Sequence, residues 1–109
     1  LKIHQDKSGF MWFATRNGLN RYDGNSFVVY KHSNGDSLSL SSNHVTALAE
    51  DDRGNLWVGT MNGLNRMDLR VDRVYSLNDM AAYKQSPLYH TWISSLYVDR
   101  QKRFLGWNK

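Results

Sequence analysis

At 109 residues and a formal net charge of +4, the chain has the length of one small domain, enough for a modest core but not for two independent ones. A hydrophobic content of 40% with 13% aromatics excludes intrinsic disorder, and the lack of cysteine excludes a disulfide framework, a thiolate metal site and a cysteine nucleophile. No apolar run approaches the roughly 20 residues that span a bilayer, and no signal-peptide pattern opens the chain, so direct membrane insertion is not expected of this segment.

The fourteen Lys and Arg are interleaved with ten acids, and the one dense basic run, Arg100-Gln101-Lys102-Arg103, lies near the C-terminus. Sequence-independent phosphate binding needs a continuous basic face, so nucleic acid is not an expected partner.

In chain order, short apolar segments alternate with turn formers. A clipped opening strand surrounds Ile3, and further strands are predicted over Phe10 to Thr15, Leu19 to Asp23 and Ser26 to Tyr30. A polar connection, His32 to His44, follows. The next strands are predicted at Val45 to Glu50, Leu56 to Thr60, Leu64 to Asp68 and Arg73 to Leu77. Between them stand the turns Asp51-Asp52-Arg53-Gly54, where Asp can bond its own backbone, and Met61-Asn62-Gly63. A last segment, Ile93 to Asp99, resembles Val45 to Asp51. Helices are excluded, because Gly9, Gly18, Gly24, Gly35, Gly54 and Gly63 would break them repeatedly.

This order is a repeat. Sliding the sequence by 45 positions superposes Asp6–Asp23 on Asp51–Asp68 with ten of eighteen positions identical, and Val29-Tyr30 then meets Val74-Tyr75. The third copy falters, because Phe104-Leu105-Gly106-Trp107 stands where Leu-Trp-Val-Gly-Thr is expected. Four strands per unit of this length is the blade of a β-propeller. The expected fold is therefore all-β, with four-stranded antiparallel blades at about 1–31 and 44–78 and a partial blade at about 92–109. A closed propeller takes roughly four to eight blades, so the chain is expected to be a fragment of a ring.

The stretches Gly9 to Gly24 and Gly54 to Leu64, with the connection His32 to Val45, resemble the two-component regulator propeller repeat. That resemblance implies the periplasmic, extracytoplasmic sensor region of a bacterial hybrid two-component sensor, in which propellers precede a β-sandwich, a transmembrane helix and a histidine kinase. It also implies an oligosaccharide ligand, as in many sensors of gut Bacteroides-type bacteria, whereas other members couple the propeller to a diguanylate cyclase.

Positions shared by both repeats, namely Trp12, Thr15, Gly18, Trp57, Thr60 and Gly63, are expected to be scaffold, because one ligand site does not need a feature in every blade. Ligand candidates are loop residues, above all where the repeats differ, as Arg16 does from Met61. In propellers the loops between the second and third strands, and those between blades, line the channel mouth. Here these are Thr15 to Asn17, Met61-Asn62, His32 to His44 and Asn78 to Trp92. A sugar needs amides and guanidinium groups for its hydroxyls and an aromatic face for its ring. Arg16, Asn17, Asn62, Tyr89, His90 and Trp92 offer that set.

No metal or cofactor is expected, because His4, His32, His44 and His90 show no paired spacing and the Asp51 turn has Gly63 where a calcium loop needs an acid. With no nucleophile elbow, phosphate loop or carboxylate pair, catalysis is not expected either. The alternative to a ligand sensor is a propeller scaffold for protein interaction or dimerisation. Exposed strand edges make self-association the expectation for the isolated segment.

Overall fold

The computed structural model describes residues 2–77, 92–98 and 104–108. The first sheet contains β1 (Lys2–Gln5), β2 (Met11–Thr15), β3 (Gly18–Tyr22) and β4 (Phe27–Tyr30). The second contains β5 (Val45–Glu50), β6 (Asn55–Thr60), β7 (Gly63–Asp68) and β8 (Arg73–Ser76). Each is an antiparallel meander in sequential order, and β9 (Ile93–Val98) with β10 (Phe104–Asn108) forms a two-stranded third sheet. The all-β blade architecture expected from the repeat is therefore present, with strand ends within a residue or so of the expected ones. The faltering third copy still pairs its first two strands.

The first strands of the sheets lie together, β5 packing against both β1 and β9. The remaining strands of each sheet follow from them in sequential order. Alternation along each strand makes two faces, and stacking the sheets buries both faces of the middle one. Trp12, Ala14 and Leu19 of the first sheet pack on Leu56, Val58, Met67 and Val74 of the second. The opposite face of the second sheet gives Ala47, Ala49 and Leu64 to a cluster with Ile93 and Leu96. Gly59 sits in that second contact, where an added Cβ would lie 2.6 Å from an Ile93 side-chain carbon. Its lack of a side chain sets the close approach of the two sheets.

In one respect the structure departs from the repeat alignment. The Val-Tyr pairs that coincide at a 45-residue offset are not equivalent, since Asn20 pairs with Val29 whereas Asn65 pairs with Ser76, 47 residues further along. Tyr22 pairs with Phe27 across four residues, whereas the equivalent Met67 pairs with Val74 across six, Asp72 among them at φ 54°, so the last strand is delayed by two residues. A shift of two keeps the side-chain faces in phase, because the strand period is two. Phe27 therefore corresponds to Val74, and Tyr30 to Leu77.

The shared positions build the same devices twice. The Trp12 indole donates to Asp6 Oδ2 at 2.9 Å, and the Trp57 indole to Asp51 Oδ2 at 3.0 Å. The other oxygen of each aspartate closes its turn, accepting from the amides of Ser8 and Phe10 in one repeat and of Arg53 and Asn55 in the other. Thr15 and Thr60 donate to the carbonyls of Gly18 and Gly63 and accept from the amides of Asn17 and Asn62. At Gly18, φ is +106°, and an added Cβ would meet the Tyr30 carbonyl oxygen at 2.7 Å, so only glycine closes this turn without strain.

Burial raises the Asp51 carboxyl, but hydrogen bonds from the Asn55 side chain and amide, the Arg53 amide and the Trp57 indole outweigh it and hold the pKa below the ordinary aspartate value. A depressed folded-state pKa stabilises the fold above the unfolded value of about 3.9, and that stability is lost as pH falls through the folded value. Denaturation midpoints measured between pH 7 and pH 2 should fall below about pH 4. Asp51→Asn should make that fall shallower.

Candidate functional site

The first strands of the three sheets begin at one end of the assembly. There the β2–β3 turn and the ends of the connections converge on an open groove of about 450 Å³. Its walls include Lys2 from β1, Thr15 and Arg16 from the β2–β3 turn, His44 and Thr46 at the start of β5, and Trp92 just before β9. Thr46 Oγ1 donates to the Ile93 carbonyl and ties β5 to β9 beneath it. The volume suits a small ligand, for which roughly 300–1,000 Å³ is usual.

The lining is chemically one-sided. Lys2, Arg16 and His44 are its ionisable groups among the described residues, and no carboxylate joins them. The described acids stand elsewhere: Asp6, Asp51 and Asp52 follow the far ends of β1 and β5, Glu50 ends β5, and Asp23, Asp68 and Asp72 border the far-end turns. Asp36, within the connection, is the exception. A guanidinium, an ammonium and an imidazole beside an indole, which is 40% exposed, can pair with an anion while stacking on a ring.

Of the residues expected to bind ligand, Arg16 and Trp92 meet in this groove. Asn17 does not; it lines a separate depression on the open face of the first sheet with Phe13, Thr15, Asn20 and Phe27. Asn62 is directed to the connection, its Nδ2 donating to the Ser41 carbonyl at 3.4 Å. Tyr89 and His90 lie outside the described residues. Lys2 and His44 were absent from the expected set. Their signal was positional, because each stands at or near the start of a first strand.

The connection expected to line the mouth gives His44 to the groove, and the rest of it binds the sheets to one another. The Asn43 carbonyl accepts from Gly18, the His44 carbonyl from Met61 and the Ser37 carbonyl from Ser76, while Leu40 is fully buried between sheets. Ser41 N donates to Asn65 Oδ1 at 3.0 Å, Asn65 Nδ2 donates to Ser41 Oγ at 3.0 Å, and Ser41 Oγ lies 3.0 Å from Thr60 Oγ1. Among the described residues no helix is long and apolar enough to cross a membrane, and no group of three or more His, Asp or Glu is placed to hold a metal ion.

Residues 39–62, which run from this connection through β5 and β6 into the next turn, match the family model described as two component regulator propeller. This segment is similar to a two component regulator propeller repeat. A 41-residue stretch, 38% of the chain, is 46% identical to histidine kinase P4 of Formosa agariphila, of which it spans 3%. The fold is similar to the extracellular domain of a hybrid two component system from B. thetaiotaomicron, with a TM-score of 0.75 and 29% identity over 92% of this chain and 14% of that one. A second such extracellular domain from B. thetaiotaomicron, at 17% identity and a TM-score of 0.50, covers 98% of this chain and 19% of its own. It shares the fold. The chain thus spans a small part of each of these relatives.

Proposed function

We propose that this segment belongs to the extracytoplasmic, non-catalytic sensor region of a hybrid two-component receptor and that the groove between its first strands takes part in recognising an acidic saccharide. The observation that carries the reading is the groove itself, with Arg16, Lys2 and His44 around the Trp92 indole and no carboxylate among its described lining. Uronate or sulfate groups would pair with the cations and a sugar ring would lie on the indole. The match to the propeller repeat and the likeness to extracellular domains of hybrid two component systems support the sensor role. Signal transfer to a histidine kinase would then be a population shift, which requires the ligand to bind two receptor arrangements unequally.

The test is calorimetric titration of the protein with oligouronates, sulfated oligosaccharides and neutral oligosaccharides of equal length. Acidic ligands should bind, with affinity falling as salt rises, and Arg16→Ala and Trp92→Ala should each weaken them. Affinity equal for neutral and acidic ligands, or unchanged in both variants, would remove the assignment.

A second reading, a dimerisation scaffold, is favoured by one feature. The face of the first sheet turned away from the second exposes Ile3 at 55%, Phe27 at 60% and Val29 at 48%. An uncovered apolar face of this kind supports self-association of the isolated segment.

A further inference from the structure

The depression that holds Asn17 lies apart from the saccharide groove and has a counterpart in the same molecule. It is lined by Phe13, Thr15, Asn17, Asn20 and Phe27, and its volume is about 460 Å³. Strand register makes these the equivalents of Val58, Thr60, Asn62, Asn65 and Val74 on the second sheet: Phe13 pairs with Asn20 as Val58 pairs with Asn65, and Phe27 faces Tyr22 as Val74 faces Met67.

On the second sheet that site is filled. Leu40 is buried in one cluster with Val58 and Val74, and Ser41 is bonded through its amide and hydroxyl to Asn65, through its hydroxyl to Thr60 and through its carbonyl to Asn62. The two amides and the threonine are identical in both repeats, and the two apolar walls are merely larger in the first. On the first sheet Asn20 has turned its amide toward the Gly18 carbonyl at 3.5 Å, a length at which little bonding remains. Thus the groove keeps every group that grips the connection on the second sheet.

We propose that this groove is a peptide-binding site for the Leu-Ser connection of a further repeat of the same kind, gripped by Asn20 and Asn17 as Asn65 and Asn62 grip Leu40-Ser41. This assigns Asn17 and Asn62 to holding connections, with no role in sugar binding. The walls also explain the sequence difference between repeats: two phenylalanines replace two valines where the seated residue is apolar. A side-chain ligand of another class would not need an amide at each of the two positions that meet main-chain and serine groups on the second sheet.

Register also supplies the test. Ile3 pairs with Phe13 as Leu48 pairs with Val58, and Lys2 pairs with Ala14 as Ala47 pairs with Gly59, so Lys2 takes the place of Ala47. A second copy of residues 36–45 joined directly in front of Leu1 would therefore meet the groove with native spacing. The thermal midpoint of the extended chain should rise by about 4–8 °C, the shift that one additional kcal/mol gives a domain of this size. Asn20→Ala should cancel the rise in the extended chain and leave the unextended midpoint nearly unchanged. In parallel, a synthetic peptide of residues 36–45 added to the isotope-labelled unextended chain should shift amide signals of residues 13–20 saturably. No rise, a rise that survives Asn20→Ala, or peptide-induced shifts confined to residues 58–65 would each overturn the proposal.

Discussion

Trp12→Ala should destabilise the protein by about 3–5 kcal/mol, the usual cost of truncating a buried tryptophan, as measured by denaturant unfolding. Trp12 has no exposed surface and fills the contact between the first two sheets with Leu56, Val58 and Met67. The substitution also strips the indole donor from Asp6, which is itself only 7% exposed, so a buried carboxylate oxygen loses its partner. Set against a total stability of about 5–15 kcal/mol, the loss would remove a large share of it. Trp57→Ala should cost distinctly less. Trp57 stands at the same repeat position and makes the same bond to Asp51, but it is partly exposed at the edge of the second cluster. Equal losses for the two would contradict the packing described here.

Asn65→Ala should cost about 2–3 kcal/mol, in the range for leaving buried polar groups unpaired. Asn65 is fully buried, accepts from the Ser41 amide and donates to the Ser41 hydroxyl and the Val58 carbonyl. Removing it takes a partner from three groups at once, of which the Ser41 hydroxyl keeps Thr60, and loosens the connection between sheets. Asn20→Ala, at the equivalent position of the first repeat, should stay within about 0.5 kcal/mol, because no connection is seated there. A comparable loss from both asparagines would show that the amide matters to its own strand and not to the connection.

The sequence disclosed the fold through two independent periodicities. The 45-residue repeat located the blades, and alternation bounded by turn formers located the strands. The Trp, Thr and Gly positions were legible as scaffold for a physical reason, since a device used in each blade recurs in each repeat. Their partners were less legible. Asp6 and Asp51 were readable as turn residues, but their bonds to indoles six residues along are made across a turn whose closure only the fold reveals. The identical Asn20 and Asn65, polar residues in mid-strand, were the available sign of a buried network.

Four features resisted reading from the sequence. The apparent Val-Tyr identity misaligned the fourth strands, because two residues can enter a turn without changing which face a strand buries. The connection has the polar composition of an exposed loop, yet Leu40 and Ser41 are buried and bind sheet to sheet. Asn17 and Asn62 lie beside Arg16 and Met61 in the chain, but the tight turn directs neighbours to different surfaces. The groove itself assembles residues from β1, the β2–β3 turn and the starts of β5 and β9, so its one-sided charge emerges only when the sheets stack.

The central claim is that the positions at which the repeats agree build the scaffold, whereas those at which they differ carry recognition. Arg16→Met tests it most directly, because it gives the first repeat the residue that the second already has at Met61. The account expects an unchanged unfolding midpoint together with at least a tenfold loss in calorimetric affinity for an acidic oligosaccharide, about 1.4 kcal/mol. Undiminished affinity, or a lowered midpoint that accounts for the loss, would contradict it.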